Sequence, residues 1–248
     1  MTDTAPPNGF LDLHSHLLPG IDDGCVTLEQ SLACVRRLID RGFVGSVCTP
    51  HIWLSGFPEN TPVNISGWVA RLQARLDGDG LDYRLWPGGE VRIARDTVSW
   101  FEQHGVPTLG ASRAVLIDYW GRQWPEYGDG VIEHLFEAGY QPVLAHPERM
   151  DFDDAEWTTT IDRLIAAGVW LQGNLRCLAG VEGPQPRERM QRLLTAGRYQ
   201  LVATDLHGPG DLDARLAGIE AVERSAGRAA VRRLLAERPA EILSDRVM

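Results

Sequence analysis

Seven histidines are spread over 248 residues, and His14, His16, His51, His146 and His207 each stand where a short apolar run meets a polar turn. The first two carry the clearest pattern. In FLDLHSHLLPGIDDG, Phe10 to Gly24, Leu11 and Leu13 alternate with Asp12, His14 and His16. A period of two is that of a strand, so His14 and His16 point to the same side. Two imidazoles on one face pack poorly and ligate divalent metals well. Pro19, Gly20 and Gly24 make a loop able to bring Asp22 or Asp23 back over that strand end. A His-x-His pair alone also fits an ordinary strand–loop junction, so its partners decide between the two readings.

Those partners follow along the chain. Strand-like runs end successively at His51, Glu90, Asp118, His146, Asn174 and the pair Asp205/His207. His104 and His134 fall instead on helical stretches and read as surface or packing residues. Carboxylates that converge repel one another unless cations neutralise them. The set is too large for one tetrahedral zinc, so two or three divalent ions are expected, with Mn, Fe or Zn all suited to mixed imidazole and carboxylate ligands.

The elements that must position these residues alternate regularly. Thr27 to Gln30 reads as a capping box, and Leu28, Leu32, Val35 and Ile39 follow at helical spacing up to Gly42. Phe43 to Cys48 is strand-like. A polar loop from Trp53 to Asn64 precedes a helix carrying Trp68, Val69, Leu72 and Leu76. Tyr83 to Pro87 is the next strand, ending at Glu90. Similar units follow to Asp118, His146, Asn174 and Asp205, and the tail from Leu212 is helical with a break at Pro239. About seven β-then-α units imply a mainly parallel sheet with helices outside and, at this length, a closed or nearly closed α/β barrel in one domain spanning 1–248. In such a barrel the C-terminal strand ends meet on one face, where active sites lie. A doubly wound open sheet is the alternative.

Composition removes several other chemistries. The net charge of −10 argues against a broad nucleic-acid surface. All 24 basic side chains are Arg, which excludes a lysine Schiff base and a Walker A loop. There is no GxSxG, no GxGxxG, and no Cys followed by Arg six positions later. The cysteines 25, 34, 48 and 177 form no CxxC, which fits reduced thiols in a cytoplasmic protein. MTDTAPPNGF lacks the features of a secretory signal, and no apolar run approaches a membrane span.

The motifs DLHSH, LLPGIDDG, TPH, GGE, LID, AHPER and DLH, in that order, resemble the polymerase-and-histidinol-phosphatase (PHP) superfamily over nearly the whole chain. LPGIDDG and AHPER narrow the resemblance to the bacterial PHP-type protein-tyrosine phosphatases of capsule and exopolysaccharide loci. The resemblance implies a distorted seven-stranded (β/α)7 TIM-like barrel with a trinuclear centre. One ion would be held by His14, His16, Glu90 and Asp205. Glu90 would bridge to a second bound by Asp118 and His146, and Asp23, His51 and His207 would hold the third. Arg149 matches the phosphate-binding arginine, with His51 and His207 completing the catalytic set. Manganese is the implied ion.

The implied reaction is attack on phosphorus by metal-activated water with departure of a phenolate. Arg149 would grip the non-bridging oxygens, or else pair with Asp151 or Asp153 at the surface. The loop Ile52 to Pro62, with Trp53 and Phe57, would wall an aromatic phosphoester or simply pack. The implied partner is the phosphotyrosine-bearing tail of a membrane-anchored bacterial tyrosine kinase. Three positions depart from the pattern: Asp118 replaces Glu, Cys177 replaces Ser, and Leu206 replaces Ala between Asp205 and His207. The competing readings are a PHP hydrolase of a small monoester such as histidinol phosphate, and an inactive scaffold that binds phosphotyrosine.

Overall fold

The computed structural model describes residues 9–53 and 55–244. The stretch 1–8, most of the segment read above as lacking a secretory signal, lies outside the described residues. The chain runs β1 Phe10–Ser15, α1 Leu28–Asp40, β2 Phe43–Cys48, β3 His51–Ile52, α2 Pro62–Gly78, β4 Arg84–Pro87 and β5 Glu90–Arg92. It continues α3 Thr97–His104, β6 Ala114–Asp118, α4 Glu126–Glu137, β7 Gln141–Ala145, α5 Asp154–Ala166 and β8 Trp170–Asn174. Then come α6 Leu175–Leu178, α7 Pro184–Thr195, β9 Leu201–Ala203, α8 Leu212–Ala226, α9 Arg228–Arg232 and α10 Arg238–Ser244.

All strand pairings between these elements are parallel. They form a three-stranded sheet, β1-β2-β4, and a six-stranded sheet, β3-β5-β6-β7-β8-β9. The fold is thus mixed α/β with parallel sheets, and the two runs expected as single strands are each split. Pro50, which has no N–H to donate, separates β2 from β3. Gly88 and Gly89 separate β4 from β5 where side chains of the adjacent strands crowd the backbone: a Cβ on Gly89 would lie 2.3 Å from Ile52 Cδ1 and one on Gly88 2.6 Å from Val47 Cγ1. Glu90 therefore opens a strand rather than closing one.

The edge of β1 that does not face β2 meets the chain just past β9. The His16 N–H donates to the Leu206 carbonyl at 2.9 Å and the Asp205 N–H to the His14 carbonyl at 2.9 Å. Asp12, fully buried, accepts from both the N–H and the hydroxyl of Thr204, which fixes the same junction. This junction brings the first and last motifs of the sequence side by side.

Local signals place the helices. Thr27 accepts from the Gln30 N–H while Gln30 accepts from the Val26 N–H, the reciprocal cap expected for α1. The second helix starts earlier than its apolar spacing indicated, because Pro62 occupies its first turn and Thr61 caps it. The tail breaks at Gly227, with φ +83°, and not at Pro239, which sits harmlessly in the first turn of α10. Apolar faces of the helices bury against the strands in one large cluster. A smaller one joins Leu11, Leu13, Val47, Leu116, Val143 and Leu201 to Ile242 of α10.

Asp12→Ala should strand the buried Thr204 donors and lower stability by about 1–3 kcal/mol, read as a lower urea midpoint. Asp12→Asn, which keeps one acceptor, should lose less.

Candidate metal centre

Strand ends and the loops beyond them deliver the predicted residues to one place. The His14 and His16 Nε2 atoms lie 3.3 Å apart. The hydrogen of each ring is held elsewhere. His14 Nδ1 faces the Gln172 Oε1 at 2.9 Å, and His16 Nδ1 faces Asp22 Oδ2 at 2.7 Å. Gln172 is itself oriented by donating from its Nε2 to the Gly173 carbonyl. Both Nδ1 atoms are therefore braced by protein groups, and both Nε2 atoms face the same point, where they can ligate a metal once deprotonated.

Two buried carboxylates aim at that point as well. Glu90 spends Oε1 on His146 Nε2 at 2.9 Å, and Asp205 spends Oδ2 on the Asn174 side-chain amide at 2.7 Å and on Arg149 at 3.0 Å. Their other oxygens, Glu90 Oε2 and Asp205 Oδ1, are buried and face imidazoles: Glu90 Oε2 stands 2.8 Å from His51 Nδ1, while Asp205 Oδ1 makes no hydrogen bond among the described residues. Glu90 Oε2 lies 3.4 Å from His14 Nε2 and 3.5 Å from His16 Nε2; Asp205 Oδ1 lies 3.3 and 3.4 Å from the same atoms. Without metal, a proton supplies the countercharge here: burial works against the charge on His16, but Asp22, Asp205 and Glu90 push it well above the ordinary histidine value. A divalent cation at the same point would take over that role, so the donor set fits a divalent metal.

Two further groupings adjoin. His16, Asp23, His51 and His207 bring ligand atoms within 4.8 Å of one another, as do His14, Glu90 and His146. Asp23 Oδ1 stands 3.2 Å from His51 Nε2 and 3.5 Å from His207 Nε2. His207 donates from Nδ1 to the Asp205 carbonyl at 2.8 Å, leaving Nε2 for that cluster. Asp22 and Asp23 are thus both used: the first braces His16, the second faces the rim. Asp118 is set somewhat apart. Its Oδ1 is 3.8 Å from His146 Nδ1, while its Oδ2 accepts from the Trp120 indole N–H.

Arg149 pairs with neither Asp151 nor Asp153. Asp151 pairs with Arg122, and Asp153 caps α5. Arg149 instead binds Asp205 and, through Nε, Glu182 at 3.0 Å. A closed ring results: Glu182 reaches Arg176 at 3.3 Å, Arg176 reaches Asp211 at 3.3 Å, Asp211 reaches Arg215 at 2.9 Å, and Arg215 returns to Asp205 at 3.6 Å. Gln172, Glu182 and Arg215 had no sequence signal beyond their polarity, because their roles exist only through partners distant in the chain. Asp118, His146 and Arg149 also line a cavity of about 350 Å³, with Trp120 and Met150 on its wall.

The backbone is strained where it presents these groups. His146 and Asp205 are the positive-φ residues other than glycine among the described residues, at +29° and +50°. Electrostatics follow the same map. Burial works against the charge on His51, but Glu90 and Asp23 outweigh it and push the imidazole up to about 10. Burial likewise opposes the charge on His146, and Asp118 and Glu90 carry it up to about 9. Burial alone would raise Glu90 and Asp205, yet the surrounding imidazoles hold both well below the ordinary carboxylate range.

Parallel strands wrapped by helices, with histidines and acids gathered at the strand C-terminal ends, define the class of metal-dependent hydrolases on TIM-like folds. The chain belongs to the capsular polysaccharide synthesis CpsB/CapC family, which matches residues 10–244. It is 28% identical over 198 residues to the tyrosine-protein phosphatase YwqE of Bacillus subtilis, covering 80% of this chain and 77% of that protein. It is 24% identical over 250 residues to the tyrosine-protein phosphatase CpsB of Streptococcus pneumoniae, covering 96% and 100%. A crystal structure of these metal-dependent tyrosine phosphatases superposes with a TM-score of 0.84 at 25% identity, over 96% of each chain. The phosphotriesterase homology protein of Escherichia coli shares the fold at a TM-score of 0.62 and 12% identity, over 97% of this chain and all of that one.

In the metal-free protein, protonated His51 and His146 add stability that is fully present below about pH 6.5. That stability is lost as the pH rises through about 9 and 10. Metal ligation must displace these protons. Titration calorimetry with Mn²⁺ near pH 7.5, in two buffers of different ionisation heat, should show net proton release and tighter binding at higher pH. Buffer-independent heats would contradict this protonation scheme.

Proposed function

We propose that this chain is a metal-dependent protein-tyrosine phosphatase of capsular or exopolysaccharide synthesis, acting on the phosphotyrosine tail of a membrane-anchored bacterial tyrosine kinase. The observation that carries the reading is the pair of buried oxygens, Glu90 Oε2 and Asp205 Oδ1, aimed with the Nε2 atoms of His14 and His16 at one point. Family membership supports the reaction, and the relatives named above carry the same activity in their names.

The residues would hold two or three ions. His14, His16, Glu90 and Asp205 would take one, Glu90 with His146 and Asp118 a second, and Asp23, His51 and His207 a third, with His16 near enough to share. Manganese is the proposed ion, with iron or zinc as alternatives. Cations held there would supply charge neutralisation for the phosphoryl oxygens and a water acidic enough to attack near neutral pH. Arg149 is anchored through Nη1 and Nε and borders the cavity, so its planar fork is pre-set to grip phosphoryl oxygens. A phenolate, with a conjugate-acid pKa near 10, leaves more readily than an alkoxide.

We read residues 1–248 as a single domain whose paired short strands β2/β3 and β4/β5 each fill one of seven barrel positions. No helix among the described residues is long and apolar enough to cross a membrane. A cytoplasmic enzyme meeting a kinase tail at the membrane surface is the arrangement proposed.

Wild type reconstituted with Mn²⁺ should hydrolyse p-nitrophenyl phosphate and a phosphotyrosyl peptide, and thorough chelation should abolish both. Turnover that survives chelation would refute the metal-dependent scheme. His146→Ala should lose at least about a hundredfold in kcat with the fold intact by circular dichroism. Arg149→Lys should lose about as much as Arg149→Ala, because an ammonium cannot reproduce the fork. Faster turnover of histidinol phosphate than of the peptide would favour the small-monoester alternative.

A further inference from the structure

Two tryptophans stand exposed at the mouth of this centre, Trp53 at 40% and Trp120 at 57%. Exposed indoles are costly unless they meet something, and these two are held in place. The Arg92 guanidinium lies over both rings, 4.4 Å from the Trp53 centroid and 5.6 Å from that of Trp120. Arg92 has no carboxylate partner among the described residues, so its charge is committed to the rings. Trp120 is also fixed at its edge, where its indole N–H donates to Asp118 Oδ2.

The placement follows from the strands. His51, Glu90 and Asp118 are each followed two positions later by Trp53, Arg92 and Trp120. Ladder pairing sets His51 beside Glu90 and Arg92 beside Asp118. The register therefore sets Arg92 level with Asp118, and Trp120, just past the end of β6, turns its indole back against the Asp118 carboxylate. Trp120 walls the cavity of about 350 Å³ that reaches Asp118, His146 and Arg149, with Met150 also lining it. This volume lies within the range of small-ligand pockets.

We infer that Trp120, braced by Arg92 over its face and by Asp118 at its edge, receives the aromatic ring of the substrate and selects aryl over alkyl phosphate monoesters. The inference rests on the phosphatase reading for its substrate and adds the residue that discriminates. With the phosphoryl group beside Asp118, His146 and Arg149, a phenyl ring in the same cavity meets the Trp120 indole and stacks on it. An alkyl ester offers no ring face for that contact.

The test is binding of phenylphosphonate and of methylphosphonate to the Mn²⁺-loaded protein by titration calorimetry, in wild type, Trp120→Phe and Trp120→Ala. Both variants lack the indole N–H on Asp118; only the alanine lacks a ring. Wild type should favour phenylphosphonate by about tenfold. Trp120→Phe should keep most of that preference, and Trp120→Ala should bring the two ligands within about twofold of each other. Equal preference in all three proteins, or no preference in wild type, would overturn the inference while leaving hydrolysis of p-nitrophenyl phosphate as separate support for the phosphatase reading. A Trp120-dependent aryl preference in a protein that hydrolyses nothing would support the inference and sink that reading.

Discussion

Four ligand atoms directed at one point, two imidazole nitrogens and two buried carboxylate oxygens, are the constraint around which the rest of this molecule is arranged. Gln172 and Asp22 brace the Nδ1 atoms of His14 and His16, while Glu90 and Asp205 each commit one oxygen to His146 or to Asn174 and Arg149 and turn the other toward the imidazoles. Without a cation or bound protons the arrangement would be repulsive, and polypeptides do not bury anionic oxygens without a countercharge. In the metal-free state, protons on His51 and His146 supply part of it. Metal and proton thus compete for the same sites, and the same groups control folding stability and catalytic readiness.

Holding such a set requires rigidity on the side away from solvent. Asp205 shows how it is achieved. Its backbone sits at a positive φ, its N–H donates to the His14 carbonyl, and Asn174 and Arg149 fix one carboxylate oxygen. Arg215 adds contacts to the neighbouring carbonyls of Thr204 and Asp205. The ring of arginines and acids through Glu182 and Asp211 then ties the loops after β8 and β9 and the 3₁₀ turn after β7 into one frame. Arg149 belongs to that frame and to the cavity wall at once, held in position by the Asp205 carboxylate of the candidate metal centre.

Asp118 joins the candidate centre to the cavity beside it. Its Oδ1 stands 3.8 Å from His146 Nδ1, and its Oδ2 accepts from the Trp120 indole N–H. A single side chain thus links the histidine cluster to the cavity wall.

The chemistry of the site was legible in the residues themselves. Strand periodicity put His14 and His16 on one side, and Pro19, Gly20 and Gly24 announced the loop that returns Asp22 and Asp23. The alternation of elements indicated parallel strands and helices, and the motif order indicated the family. These signals are local, set by backbone geometry within a few residues. Tertiary structure alone decided the rest. The split at Gly88-Gly89 depends on crowding against the Val47 and Ile52 side chains of neighbouring strands. The placement of Gln172, Glu182, Arg215, Arg92 and Trp120 depends on partners scores of residues away or on register between strands. The sharing of His16 between two clusters, and the choice of Asp205 over Asp151 or Asp153 as the partner of Arg149, are matters of ångströms in three dimensions. A linear pattern specifies which groups reach a strand end; only the packing of the two parallel sheets specifies which of them touch.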